Sequence, residues 1–159
     1  MQARGNTQVN FGAVWGWRLL SPRWRGQWGG EMNTNGLPLD YNTKNMNKAV
    51  VLMTDGENTI DNTSRTAYGY LSDGRLGTTN GSTAVTRLNT RLTDVCTAMK
   101  NNNIYVYTIA FNNPGTTIQN LLRNCATSPD YYFNSPTSSS LTAAFSAIGD
   151  SLANLRVSK

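Results

Sequence analysis

The 159-residue chain predicts an α/β domain on a parallel sheet, and three observations carry the prediction. Ala49 to Met53 and Ile104 to Phe111 are unbroken apolar runs rich in β-branched and aromatic residues, the pattern of strands buried on both faces. Segments with apolar residues at helical spacing stand before, between and after them. Alternation of helix and strand argues for parallel strands joined by right-handed crossovers. Nothing in the chain repeats, and its length suits one domain with a real core.

In chain order, Thr7 follows a Gly-Asn turn and leads into a helix whose apolar positions are Val9, Phe11, Val14, Trp15 and Leu19. Gly12 and Gly16 weaken that helix by ~1 kcal/mol each relative to Ala, and Pro22 ends it. Pro22 to Asn47 is irregular. With Trp15 and Trp17, its Trp24 and Trp28 make up all four tryptophans, which either cover an edge of the core or offer a surface to a sugar or partner. The stretch KAVVLMTDGEN, Lys48 to Asn58, holds the central strand and stops at Asp55-Gly56. An acid just past the carboxyl end of a strand is either a turn residue or a functional group.

Glu57 to Thr83 is polar, glycine-rich and without apolar periodicity, which predicts a functional loop or a mobile insertion. Ala84 to Lys100 is a helix capped by Ser82 or Thr83, with Val85, Leu88, Leu92, Val95, Cys96 and Met99 on one face. Ile104 to Phe111 is the second strand. Pro114-Gly115 turns into a short helix marked by Ile118, Leu121, Leu122 and Cys125, and Tyr131 to Phe133 is a short third strand. Ser138 to Arg156 closes the chain as an amphipathic helix. Leu141, Ala144, Phe145, Ile148, Leu152 and Leu155 form its face, and Ser138 to Ser140 supply capping hydroxyls.

Composition narrows the chemistry. Fourteen Lys and Arg against nine Asp and Glu give a net charge of +5, but the cations are scattered and no aromatic signature of RNA binding accompanies them, so no nucleic acid partner is expected. There is no histidine. Acid/base schemes built on imidazole are thereby excluded, and any metal must be a hard cation held by oxygen. The N-terminus lacks the apolar core of an export signal, and no stretch approaches membrane-spanning length. Cys96 and Cys125 lie on two successive crossover helices, which right-handed crossovers place on one side of the sheet. They are either within disulfide reach or two buried free thiols.

MTDGEN after a buried strand, GNT at the head of a helix and the strand YVYTIAF resemble the von Willebrand factor A domain. GWRLLSP, LPLDYN, KAVVLMTDGEN and the carboxyl-terminal LLRNCATSPDYYFNSPTSSSLTAAFSAIGDSLANLRVSK further resemble the G-type proteins of the bacterial tight-adherence (Tad/Flp) pilus-assembly system. The resemblance runs through nearly all of residues 1–159. It implies a partial, Rossmann-like domain of about three parallel strands with flanking helices, and a long polar loop at 57–83. It also implies a metal-ion-dependent adhesion site for Mg²⁺ or Mn²⁺, in which Thr7 matches the second loop and Asp55 the third. The first loop, DxSxS, has no counterpart here, so the site is incomplete and cation binding by this chain is expected to be weak or absent.

The same resemblance implies that the first half of the sheet is missing and that the chain is the carboxyl-terminal part of a larger, membrane-anchored protein. It implies a periplasmic or cell-envelope setting, which favours a Cys96 to Cys125 disulfide. The implied function is non-enzymatic adhesion or assembly through a protein partner of the pilus or envelope, with self-association through the bare sheet edge. Two alternatives stand beside it. One is a remnant with no independent function. The other is a hydrolase, since Gly149-Asp150-Ser151-Leu152 spells the GDSL signature, although no histidine base accompanies that serine. Asp55, Glu57 and Asp61 lack the twelve-residue pattern of a calcium loop.

Overall fold

The computed structural model describes residues 5–157. Three strands, β1 (Lys48–Thr54), β2 (Ile104–Phe111) and β3 (Tyr132–Ser135), form one parallel sheet in the order β1-β2-β3. Lys48 stands opposite Ile104 and Thr54 opposite Ala110, while Thr108 to Phe111 pair with Tyr132 to Ser135. Among the described residues five α-helices accompany the sheet: α1 (Val9–Leu20), α2 (Gly30–Thr34), α3 (Gly81–Asn101), α4 (Thr116–Cys125) and α5 (Ser138–Val157). Tyr131 belongs to a 3-10 turn, Pro129–Tyr131, so the third strand begins one residue later than expected.

The two-residue period of β2 divides the core. Ile104, Val106 and Ala110 face one layer, where they pack with α1, α3 and α4 through Val9, Ala13, Leu92, Met99, Ile118 and Leu122. Tyr107 and Ile109 face the other and meet Ala144 and Ile148 of α5. The crossover helices α3 and α4 therefore share a face, and Cys96 and Cys125 form a disulfide with a Cα separation of 5.1 Å. The free-thiol alternative is thereby removed. None of the described helices is long and apolar enough to cross a membrane.

Four sequence expectations need correction. First, β1 is not buried on both faces: Leu52 is buried, but Val51 is 40% and Met53 47% exposed. The reason is that α5 lies over β2 and β3 and leaves that side of β1 uncovered. Second, α1 turns its large side chains outward. Phe11, Trp15 and Leu19 are exposed, whereas Val9, Asn10 and Ala13 are buried and Gly16 faces Val50, because small residues let the helix lie close to β1 and α3. Third, α3 starts at Gly81 and its cap is Asn80, whose Oδ1 accepts from the Thr83 amide at 3.0 Å. Fourth, Phe145 is 48% exposed on α5, and Leu155's side chain lies outside the described residues. The first turn of α5 is held by Thr137 as well as by Ser140, since the Ser140 amide donates to Thr137 Oγ1 and the Thr137 amide to Ser140 Oγ.

Residues 57–83 are not a featureless insertion. Ile60 and Leu76 are buried against Ala84 and Leu88 of α3, with Tyr68 and Leu71 packed beside them, so the loop carries a small core of its own. Its apolar residues are too widely spaced to show a period, and only the fold brings them together. Lys48, at the start of β1, is buried. Its ammonium donates to the carbonyls of Leu20 and Leu39 and lies 4.7 Å above the Tyr41 ring. Burial, then the nearby Arg25, lowers its pKa, with Asp40 acting in the opposite sense.

Candidate functional site

At the carboxyl end of β1 the chain turns at once. Thr54 Oγ1 accepts from the Gly56 amide at 3.2 Å and donates to the Gly56 carbonyl at 2.9 Å, which closes the turn and leaves Asp55 at its tip. Asp55 is exposed, and its carboxylate makes no hydrogen bond or ion pair among the described residues.

Thr7 is brought to the same corner by the loop that follows. Its amide donates to Thr59 Oγ1 at 2.8 Å, and its carbonyl accepts from the Thr59 amide at 2.8 Å. A Cβ placed on Gly56 would stand 3.6 Å from Thr7 Oγ1. The hydroxyl is therefore beside Gly56, and the segment holding Thr7 lies at the same end of β1 as the Asp55-Gly56 turn.

The preceding residues are clamped by the same loop. Asn6 Nδ2 donates to Asp61 Oδ1 at 2.9 Å and to the Ser64 carbonyl at 3.4 Å. Gly5 has φ +89°, and a Cβ there would come within 2.7 Å of Ser64 Cβ, so only glycine fits. Asp61 also accepts from the Thr63 amide and hydroxyl, each at 2.8 Å, and from the Ser64 amide at 3.2 Å. These bonds, Asn6's first, favour the carboxylate and hold its pKa at about 2 against an ordinary 3.8. Asp61 is thus committed to holding the loop. Glu57 leans elsewhere: its Oε1 is 2.6 Å from where a Cβ on Gly115 would stand, over the residue that precedes α4, where the helix dipole favours negative charge.

Sequence reasoning missed Asn58, the residue that positions this corner. It is buried, accepts from the Val9 amide at 2.8 Å and donates to Asn89 Oδ1 at 2.8 Å. It caps the first turn of α1 from a distance and ties that turn to α3. A polar residue directly after TDGE, inside a polar loop, gave no sign of its burial.

As a cation site the corner has the right kind of donor and few of them. One hydroxyl and one carboxylate suit a hard cation such as Mg²⁺ or Mn²⁺. Among the described residues no group of three or more His, Cys, Asp or Glu side chains converges. Thr7 and Asp55 would hold two positions of an octahedral shell and leave the remainder to water or to an oxygen from a partner. Ser151 of the GDSL tetrapeptide lies inside α5, half-buried, with its Oγ 2.8 Å from the Tyr107 hydroxyl. It does not stand on the strand-to-helix turn that exposes a nucleophilic serine.

No family model matches the chain, and no curated protein matches it. Among solved structures, proximal thread matrix protein 1 from the mussel byssus is similar at a TM-score of 0.40 and 13% identity, over 75% of this chain and 23% of that one. The chain thus spans about a quarter of that protein's length, and at this score the likeness decides neither fold family nor function.

Proposed function

We propose that this chain is a non-catalytic binding and assembly module of the von Willebrand A type, serving adhesion or assembly in a bacterial tight-adherence pilus system. The observation that supports the reading is the approach of the Thr7 hydroxyl to Gly56, the residue that follows Asp55. A free hydroxyl and an unpartnered carboxylate share the carboxyl end of a parallel strand, the place where open α/β sheets bind their ligands. The partner is a protein of the pilus or cell envelope, whose own carboxylate would complete the shell of a Mg²⁺ or Mn²⁺ ion held by Thr7 and Asp55.

With two protein ligands, affinity for the cation alone is in the millimolar range, as for weak extracellular oxygen sites. A ligand at ten times its Kd stabilises the native state by about 1.4 kcal/mol, which moves the midpoint of a chain this size by roughly 3–5 °C. The test is a thermal melt of the disulfide-bonded chain in EDTA and then in rising Mg²⁺ or Mn²⁺. The expected result is an upward shift confined to millimolar metal and abolished by Asp55→Asn. A shift that survives both Asp55→Asn and Thr7→Val, or none at any concentration, would overturn the cation-dependent form of the reading.

A further inference from the structure

Asparagine is crowded where the chain enters the sheet. Between the loop leading into β1 and the connection from α3 to β2 lies a cavity of about 430 Å³, within the range of roughly 300–1,000 Å³ for small-molecule sites. It opens at the amino ends of β1 and β2, roughly 20 Å along the strand from the Asp55 turn. Residues 42–48 form one wall, and Lys100, Asn102, Asn103 and Thr127 the other. All belong to connections that the described residues contain whole. Asn103 Nδ2 donates to Asn42 Oδ1 at 2.7 Å and ties the walls together. Asn42 and Asn45 hold left-handed backbone, φ +62° and +61°, which glycine takes at less cost. The amide of Asn42 has that structural duty, but the side chain of Asn45 makes no hydrogen bond among the described residues. Asn102 Nδ2 donates to the Ala98 carbonyl at 2.8 Å, and its Oδ1 has no donor among them. The ammonium groups of Lys44, Lys48 and Lys100 line the same space, and among the described residues no Asp or Glu does. Lys48 and Lys100 are held by backbone carbonyls, whereas Lys44 is exposed and unpaired among the described residues. Asp40, the acid that precedes this loop, is bonded to Arg25 at 2.8 Å.

We propose that this cavity binds an acidic sugar, a pyranose carrying one carboxylate. Each asparagine amide offers a donor and an acceptor side by side, the pairing that adjacent sugar hydroxyls need. Met46 and Tyr105 in the lining supply apolar contact for the C–H face of the ring. A cationic lining without acids calls for negative charge, and the unpaired ammonium of Lys44 is the group available to meet it. A phosphate suits the place less well. Phosphate sites use the amino ends of helices, and the helix that meets this cavity is α3 at its carboxyl end, whose dipole opposes a dianion. A carboxylate carries half that charge. This goes beyond the adhesion reading, because it uses neither Thr7 nor Asp55 and needs no cation.

The test is titration of the disulfide-bonded chain with trigalacturonate in EDTA at moderate salt, so that the cation site plays no part, followed by nuclear magnetic resonance of backbone and side-chain amides. Saturable shifts at millimolar sugar or below are expected, confined to 42–48, 100–105 and Thr127. The neutral trisaccharide of galactose should bind at least tenfold more weakly, and inorganic phosphate at equal concentration should not displace the acid. Asn45→Gly keeps the left-handed backbone and removes only the amide, so it should weaken binding about tenfold with no loss of thermal stability. Lys44→Ala should erase the preference for the acidic over the neutral sugar. Shifts spread over the whole surface would mark unspecific attraction to a chain of net charge +5. That outcome, no saturation at millimolar sugar, displacement by phosphate, equal binding of the neutral sugar, full binding by Asn45→Gly, or an intact preference in Lys44→Ala would each overturn the proposal.

Discussion

Asp61 shows how one side chain can make a stretch of loop depend on pH. Four hydrogen bonds, led by that from Asn6, favour its ionised form and hold its pKa at about 2 against an ordinary 3.8. A carboxylate whose folded pKa is depressed contributes stability that is complete above the unfolded value and is lost as pH falls through the folded one. The window here is pH 4 to 2. Asp61→Asn should therefore lower the thermal midpoint at pH 7 and flatten its fall across that window, read by melts at half-unit steps. Equal slopes in the two proteins would mean that Asp61 titrates as a free carboxyl. The same bonds fix Asn6 next to Thr7, so one charge steadies both the loop and the hydroxyl beside Asp55. Tyr107 shows the reverse sign: burial, the chief cause, raises the pKa of its phenol above 10.0, so its contribution is full below that value and fades as pH climbs through the raised one.

Among the elements, the loop at 57–83 departs furthest from its appearance in sequence. Ile60, Leu71 and Leu76 are separated by irregular intervals, and no local period could reveal that they converge on Ala84 and Leu88. Leu76→Ala should cost about 2–5 kcal/mol in denaturant unfolding, the range for deleting a buried leucine, and should open residues 57–83 to proteolysis before the sheet is lost. A cost under about 0.5 kcal/mol would return the loop to the status of a surface connection. The strands and the helices α3 and α4 were legible because their signals are local: apolar runs for β1 and β2, and a three-to-four-residue period for Leu88, Leu92, Cys96 and Met99 or Ile118, Leu122 and Cys125. The outward turn of Phe11, Trp15 and Leu19 was not legible. Which side of α1 is buried depends on where β1 and α3 lie, and the inward residues are the small and polar ones that hydrophobicity passes over. At the candidate site the same divide holds. Asp55 stood out by its position after a strand and Thr7 only through the family resemblance of the GNT stretch, whereas Asn58 and Gly5 matter through contacts made across the fold.

For the molecule as a whole, the Cys96–Cys125 bond joins two of the helices that cover one face of a sheet that is three strands wide among the described residues. A bridge closing a loop of this length constrains the unfolded chain by about 3–4 kcal/mol in the chain-entropy model, a large share of the 5–15 kcal/mol typical of a domain. Reduction should therefore lower the urea midpoint sharply, and a Cys96→Ala, Cys125→Ala variant should reproduce the reduced protein; a double variant as stable as the oxidised chain would show that the sheet holds without the bridge. The tryptophans add a different kind of consequence. Trp15 meets Trp24 edge to face, Trp24 stacks on Trp28 with 5.5 Å between centroids, and the Arg18 guanidinium lies 4.8 and 5.0 Å from the first two rings. Trp17 is close by in sequence, with its indole N–H on the Tyr41 hydroxyl. Every indole of the chain thus belongs to the stretch from α1 to the start of α2, and light absorbed at 295 nm is emitted from that stretch alone. Ultraviolet fluorescence of this protein is a local gauge, and it will follow the loosening of one flank while circular dichroism follows the rest.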